Sequence, residues 1–213
     1  MKTVLCYGDS ITWGMVPMTS LTSCSRHVPA DRWPSALQEQ LGPSFQVIAE
    51  GLNGRTTVFD DPIDGVHKNG RTYLLPCLET HAPLDAVIIM LGTNDLQSRF
   101  NLAPHDIAAG AGQLARMISP EVRGQDGLSP RVLLVSPPRI GPLRLFGEVF
   151  AGASEKSEHL SRHYRAVAET LECAFLDAAA HVRASSTDGI HLEAAEQRAL
   201  GHAIAAEVHR LLA

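Results

Sequence analysis

The chain has 213 residues, 45% hydrophobic and 19% charged, with a formal net charge of −5. That balance excludes a disordered chain, which needs low hydrophobicity and high net charge. It also argues against two partners: nucleic acid leaves a basic footprint on its binder, and no apolar run approaches the roughly 18 residues that span a bilayer.

The first predicted strand is residues 3–7. Its apolar run stops at Gly8-Asp9-Ser10, too soon for a signal peptide. A helix is predicted at residues 33–41 and a second strand at 45–49. A short helix follows at 73–80, which Pro76 should limit to a turn or two. The third strand, 86–91, and the fourth, 132–136, are nearly continuous apolar runs, as in a parallel sheet covered on both faces. Between them Ile107, Ala111, Leu114 and Ile118 form one helical stripe. Leu160, Tyr164, Val167 and Leu171 form another before the fifth strand at 174–176. Leu200, Ile204, Val208 and Leu211 form the last. Strands alternating with helices specify an α/β fold, a three-layer sandwich built by right-handed crossovers. No linker or repeat divides residues 1–213, so one domain is expected. Cys6, Cys24, Cys77 and Cys173 show no CxxC spacing and read as reduced thiols of a cytoplasmic protein.

Three stretches break the alternation: 15–31, 58–69 and 137–152. The last carries Leu143, Leu145, Phe146, Val149 and Phe150 among Pro and Gly. A loop that apolar covers something, either a substrate pocket or another subunit.

The polar residues worth notice follow strands, at the carboxyl edge where open α/β sheets bind ligands. Ser10 follows the first strand, where the next helix would aim its N–H groups and positive end at a developing oxyanion. Asn94, in Gly92-Thr93-Asn94-Asp95, follows the third strand and has an amide that can donate to the same charge. Gly54 follows the second strand and can present a bare N–H. Each triplet taken singly also reads as an ordinary turn or cap. Two segments supply a base with an acidic neighbour: Asp188-Gly189-Ile190-His191 and Asp64-Gly65-Val66-His67. The residues alone do not choose between His191 and His67, and the second strand's place beside the first slightly favours His67.

Other patterns are weaker. Gly65 to Thr72 approximates a phosphate loop, but has Arg71 in place of Lys and no preceding strand. His159 and His163 have metal-ligand spacing without a third ligand. Asp60, Asp61 and Asp64 read as a polar loop. No metal or cofactor is expected. No GxSxG elbow occurs, which argues against an α/β-hydrolase.

Taken together, four blocks resemble the SGNH hydrolases of the GDSL esterase family: Gly8-Asp9-Ser10, Gly54, Gly92-Thr93-Asn94-Asp95 and Asp188-Gly189-Ile190-His191. The longer strings around the first three are similar to the bacterial arylesterases, a subgroup that includes acyltransferases and perhydrolases. Leu192 stands where many relatives have proline. The resemblance implies a flavodoxin-like five-stranded parallel sheet of order 2-1-3-4-5. It implies Ser10 as nucleophile, His191 as general base and acid, and Asp188 as its orienting partner. The oxyanion hole would be the N–H groups of Ser10 and Gly54 with the Asn94 amide. Ile11, Trp13, Thr93 and Ile190, within or beside these blocks, are the expected substrate contacts.

The expected function is hydrolysis of small acyl or aryl esters through an acyl-enzyme on Ser10, with transfer to alcohols or peroxide as a variant. The alternatives are a carbohydrate acetylesterase, thioesterase or lysophospholipase using the same residues, and a non-catalytic flavodoxin-like binding domain. The expected partners are a small ester and further copies of the chain, with the 137–152 loop at the interface.

Overall fold

The computed structural model describes residues 1–118, 124 and 127–213. Five strands form one sheet: β1 (Lys2–Gly8), β2 (Phe45–Gly51), β3 (Ala86–Met90), β4 (Arg131–Ser136) and β5 (Ala174–Asp177). All neighbouring pairs are parallel, in the order β2-β1-β3-β4-β5. Six helices accompany them: α1 (Ser10–Trp13), α2 (Trp33–Leu41), α3 (Gly70–His81), α4 (Pro104–Arg116), α5 (Ala153–Thr170) and α6 (Ala194–Leu211).

Alternation along the strands splits the core into two layers. Val4, Cys6, Ile88, Leu133 and Val135 meet Trp33 and Leu37 of α2 and Leu200, Ile204 and Val208 of α6. Leu5, Tyr7, Val87, Ile89 and Leu134 meet α3, α4 and α5 through Leu74, Leu78, Ile107, Leu114, Leu160 and Tyr164. The three-layer α/β sandwich and its strand order are therefore those expected. The central strand β3 is buried at every position, whereas β2, at the sheet edge, is only partly covered.

Pro76 does not shorten its helix, which runs for 12 residues. A proline costs one backbone hydrogen bond, here to the Thr72 carbonyl. Thr72 and Pro76 both lie on the exposed side, where that carbonyl is open to solvent and the lost bond costs least. Leu74, Cys77 and Leu78 on the opposite side are buried and hold the helix in place.

Three of these strands end at one edge, bringing Gly8, Gly51 and Met90 side by side. The one-turn helix α1 folds directly over the end of β2. A Cβ on Gly51 would fall 2.2 Å from the Trp13 nitrogen, so only glycine permits this approach. Gln197 of α6 fastens the turn, donating to the Ile11 carbonyl at 3.0 Å and accepting from the Trp33 N–H at 3.0 Å.

Candidate active site

Ser10 is the first residue of α1, and Asp9 caps that turn by accepting from the Ile11 N–H at 2.9 Å. The Ser10 N–H therefore has no acceptor within its helix. The expected helix dipole is small, because α1 has only four residues; the backbone N–H remains as the electrostatic feature.

His191 Nε2 lies 3.0 Å from Ser10 Oγ, and His191 Nδ1 lies 2.7 Å from Asp188 Oδ2. All three residues are buried, at 6%, 5% and 0% exposure. His67 is exposed in the loop before α3, so the two Asp-Gly-x-His segments part company here. Asp188 accepts three backbone bonds as well: Met18 N–H on Oδ2 at 2.7 Å, and Ile190 and His191 N–H on Oδ1 at 2.9 and 3.0 Å. Burial alone would raise the Asp188 carboxyl. The hydrogen bond and positive charge of His191, with the Met18 and Ile190 N–H groups, outweigh that and hold it at about 2.

Gly54 has a φ of +78°, in the left-handed region that favours glycine. Among the described residues its N–H donates to no backbone carbonyl. Asn94 is oriented on both sides of its amide. Its Nδ2 donates to the Arg55 carbonyl at 3.0 Å and its Oδ1 accepts from Gln97 Nε2 at 3.2 Å. This leaves one amide N–H for a ligand. Arg55 is itself fixed. Its guanidinium donates to the Gly8 carbonyl at 2.8 Å and lies 4.1 Å over the Tyr7 ring.

Asp95, fully buried, ties the Gly54 loop to the Asn94 loop. The Thr57 N–H donates to its two oxygens at 3.1 and 3.0 Å, and the Thr57 hydroxyl donates as well. Burial pushes Asp95 up to about 7 against the pull of those bonds. Burial likewise lifts Asp9 to about 6, opposed by the Ile11 N–H and by His191. Replacing Asp95 with Ala would strand two buried Thr57 donors, at a cost of about 1–3 kcal/mol. The expected result for Asp95→Ala is a lower Tm in calorimetry, with turnover falling more than KM changes.

Ser10, Gly54, Asn94, Ile190 and His191 line a cleft of about 360 Å³. Ile11, Trp13 and Thr93 lie outside its lining. Ile11 is buried in the core layer under α2 and α6. Trp13 lies beneath the Arg26 guanidinium, 4.7 Å from its ring centre. Thr93 is buried. Ile11 follows a lining residue and Thr93 precedes one, but a one-turn helix and a tight turn point successive side chains in different directions.

The lining instead includes Met15, Met18 and Leu21 from the 15–31 stretch, and Gln97 and Arg99. The 137–152 loop supplies Phe146, Val149 and Phe150. Phe146 and Phe150 stand edge to face at 6.0 Å. The broken alternation marked both stretches, and composition singled out the second. Arg99 binds Asp61 and Asp64, each at 2.9 Å, so those aspartates hold a guanidinium. His163 packs edge-on against His105 at 5.8 Å.

The chain belongs to the GDSL-like lipase/acylhydrolase family, whose profile matches residues 6–199. No curated protein matches it. Among solved structures it is similar to the native aryl esterase of M. smegmatis, at 43% identity over all of both chains and a TM-score of 0.95. It is also similar to Est24, a carbohydrate acetylesterase from Sinorhizobium meliloti. There the identity is 42% and the TM-score 0.93, over 99% of this chain and 100% of that one.

Proposed function

We propose that the protein is an esterase that cleaves small acyl and aryl esters through an acyl-enzyme on Ser10. The observation that carries this reading is the continuous path Asp188–His191–Ser10, 2.7 and 3.0 Å per step, opening on the cleft. An ionised Asp188 only accepts, so it keeps the proton on His191 Nδ1 and leaves Nε2 to receive the Ser10 proton. Ser10 Oγ attacks the ester carbonyl, and the carbonyl oxygen becomes an anion facing the N–H groups of Ser10 and Gly54 and the Asn94 amide. His191 then protonates the departing alcohol. Water, or an added alcohol or peroxide, releases the acyl group by the same steps in reverse.

A fluorophosphonate probe tests the class: it should label the wild type and leave Ser10→Ala unlabelled. Labelling of Ser10→Ala, or none of the wild type, would reject the reading. A panel of aryl esters and acetylated sugars, with and without added alcohol, then separates the substrates. The second reading, a carbohydrate acetylesterase, is favoured by the polar side of the cleft, where Asn53, Gln97 and Arg99 stand near the proposed nucleophile.

Asn94→Ala should lower kcat by roughly 10²–10³-fold with little change in KM, because its free N–H meets charge that develops only in the transition state. An effect confined to KM would assign Asn94 to ordinary substrate binding.

We further propose a cytoplasmic homo-oligomer. All four cysteines are unpaired, which suits a reducing compartment. Among the described residues no helix is long and apolar enough to cross a membrane. Leu21 and Val149, at the cleft, and Ile63 are 63%, 39% and 72% exposed, more apolar surface than a site entrance needs. Sedimentation should give a multiple of 22.9 kDa; a monomer would end this proposal.

A further inference from the structure

On the far side of β2 from the nucleophile, three metal-type ligands converge. Cys77 and His81 are four residues apart on α3 and so share one face of that helix. Glu50 projects toward them from β2, and His81 Nε2 lies 2.8 Å from Glu50 Oε1. One ligand atom from each of the three falls within 4.8 Å of the others. Tetrahedral zinc, with bonds of about 2.0–2.3 Å, sets ligand separations of about 3.3–3.8 Å, so the wider separations need close by no more than about 1.5 Å while the His81–Glu50 pair opens from 2.8 Å. The side chains of His81 and Glu50 are 25% and 23% exposed, which leaves water an approach to the fourth position.

We propose that Glu50, Cys77 and His81 form a site for a divalent transition-metal ion of the zinc class. One thiolate, one imidazole and one carboxylate are a borderline-soft donor set, suited to zinc and cobalt rather than to magnesium or calcium. Binding exchanges a proton for the metal: the Cys77 thiol releases H⁺ and its sulfur bonds the ion, while His81 turns Nε2 from Glu50 to the metal. The metal drives that deprotonation, because only the thiolate binds it. The Arg55 guanidinium, held on the Gly8 and Glu50 carbonyls and over the Tyr7 ring, is a nearby positive charge, which the Glu50 carboxylate and the Cys77 thiolate offset. The ion would clamp α3 to the end of β2, four residues before Gly54.

Cobalt(II) is the probe, added to chelator-treated protein. The wild type and Cys24→Ser should each take one ion per chain, with a near-ultraviolet thiolate-to-cobalt charge-transfer band, and zinc should displace it. Cys77→Ser should lose the band. His81→Ala, a change on a partly exposed face, should weaken cobalt binding at least about tenfold, since even outer partners of a metal site contribute that much. No band in the wild type, a band that survives Cys77→Ser, or unchanged affinity in His81→Ala would overturn the site. None of these readouts depends on ester turnover.

Discussion

His191→Ala should lower kcat by about 10⁴–10⁶-fold, and His67→Ala should leave turnover at the wild-type level. The base accounts for the difference. Ser10 Oγ has a neutral hydroxyl's reactivity unless its proton has somewhere to go as the carbonyl is attacked, and His191 Nε2, 3.0 Å away, is the acceptor in reach. His67 is exposed on the approach to α3 and does not line the cleft. Ser10→Ala should be as damaging as His191→Ala, and the double variant no worse than either. Nucleophile and base work as a unit, and removing one already abolishes what the other contributes. Steady-state kinetics on an aryl ester measures all four variants. If His67→Ala were the inactive variant, the base would be misassigned; if the double variant lost far more than either single one, Ser10 and His191 would act separately.

The proposed site stands out in the sequence where a candidate residue follows a strand directly. Ser10, Gly54 and Asn94 each stand three to five residues beyond the end of a predicted strand, and parallel strands bring all such ends to one edge. The family resemblance points to His191, but the residues alone do not choose between His191 and His67, because two identical Asp-Gly-x-His patterns differ only in the path of the chain around them. The same holds for the contacts that brace the site. Met18 reaches Asp188 across 170 positions and Gln197 reaches Ile11 across 186; no local pattern encodes such pairs. Ile11 and Thr93, beside Ser10 and Asn94 in sequence, do not line the cleft, since adjacency in sequence is not adjacency to the cleft. Pro76 was misread because its cost depends on exposure, a property of the helix's position on the sheet and not of the residue.

Asp188→Asn should keep the shape of the site and lose most of its rate, about 10⁴-fold in kcat by analogy with hydrolases of the same residue logic, while KM changes little. In the wild type both Asp188 oxygens accept, and the His191 proton is thereby held on Nδ1. An asparagine keeps one accepting oxygen. With that oxygen on the Ile190 and His191 N–H groups, the amide NH₂ faces His191 Nδ1 and the Met18 N–H. Nδ1 must then accept, the ring proton moves to Nε2, and Nε2 meets the Ser10 hydroxyl as a donor and not as a base. The opposed Met18 N–H also loses its acceptor, so the variant should be less stable. That loss has a predictable pH window. The Asp188 carboxyl is held at about 2, below its ordinary 3.8, so its ionised form contributes stability above about pH 4, and the contribution disappears as pH falls toward 2. The gap in Tm between wild type and Asp188→Asn should therefore be full at neutral pH and narrow between pH 4 and 2. Calorimetry across that range, with kcat and KM at neutral pH, tests both halves. A variant that kept near-normal kcat would show that His191 needs no orienting carboxylate. A gap that widened on acidification would show that Asp188 is not held in its charged form.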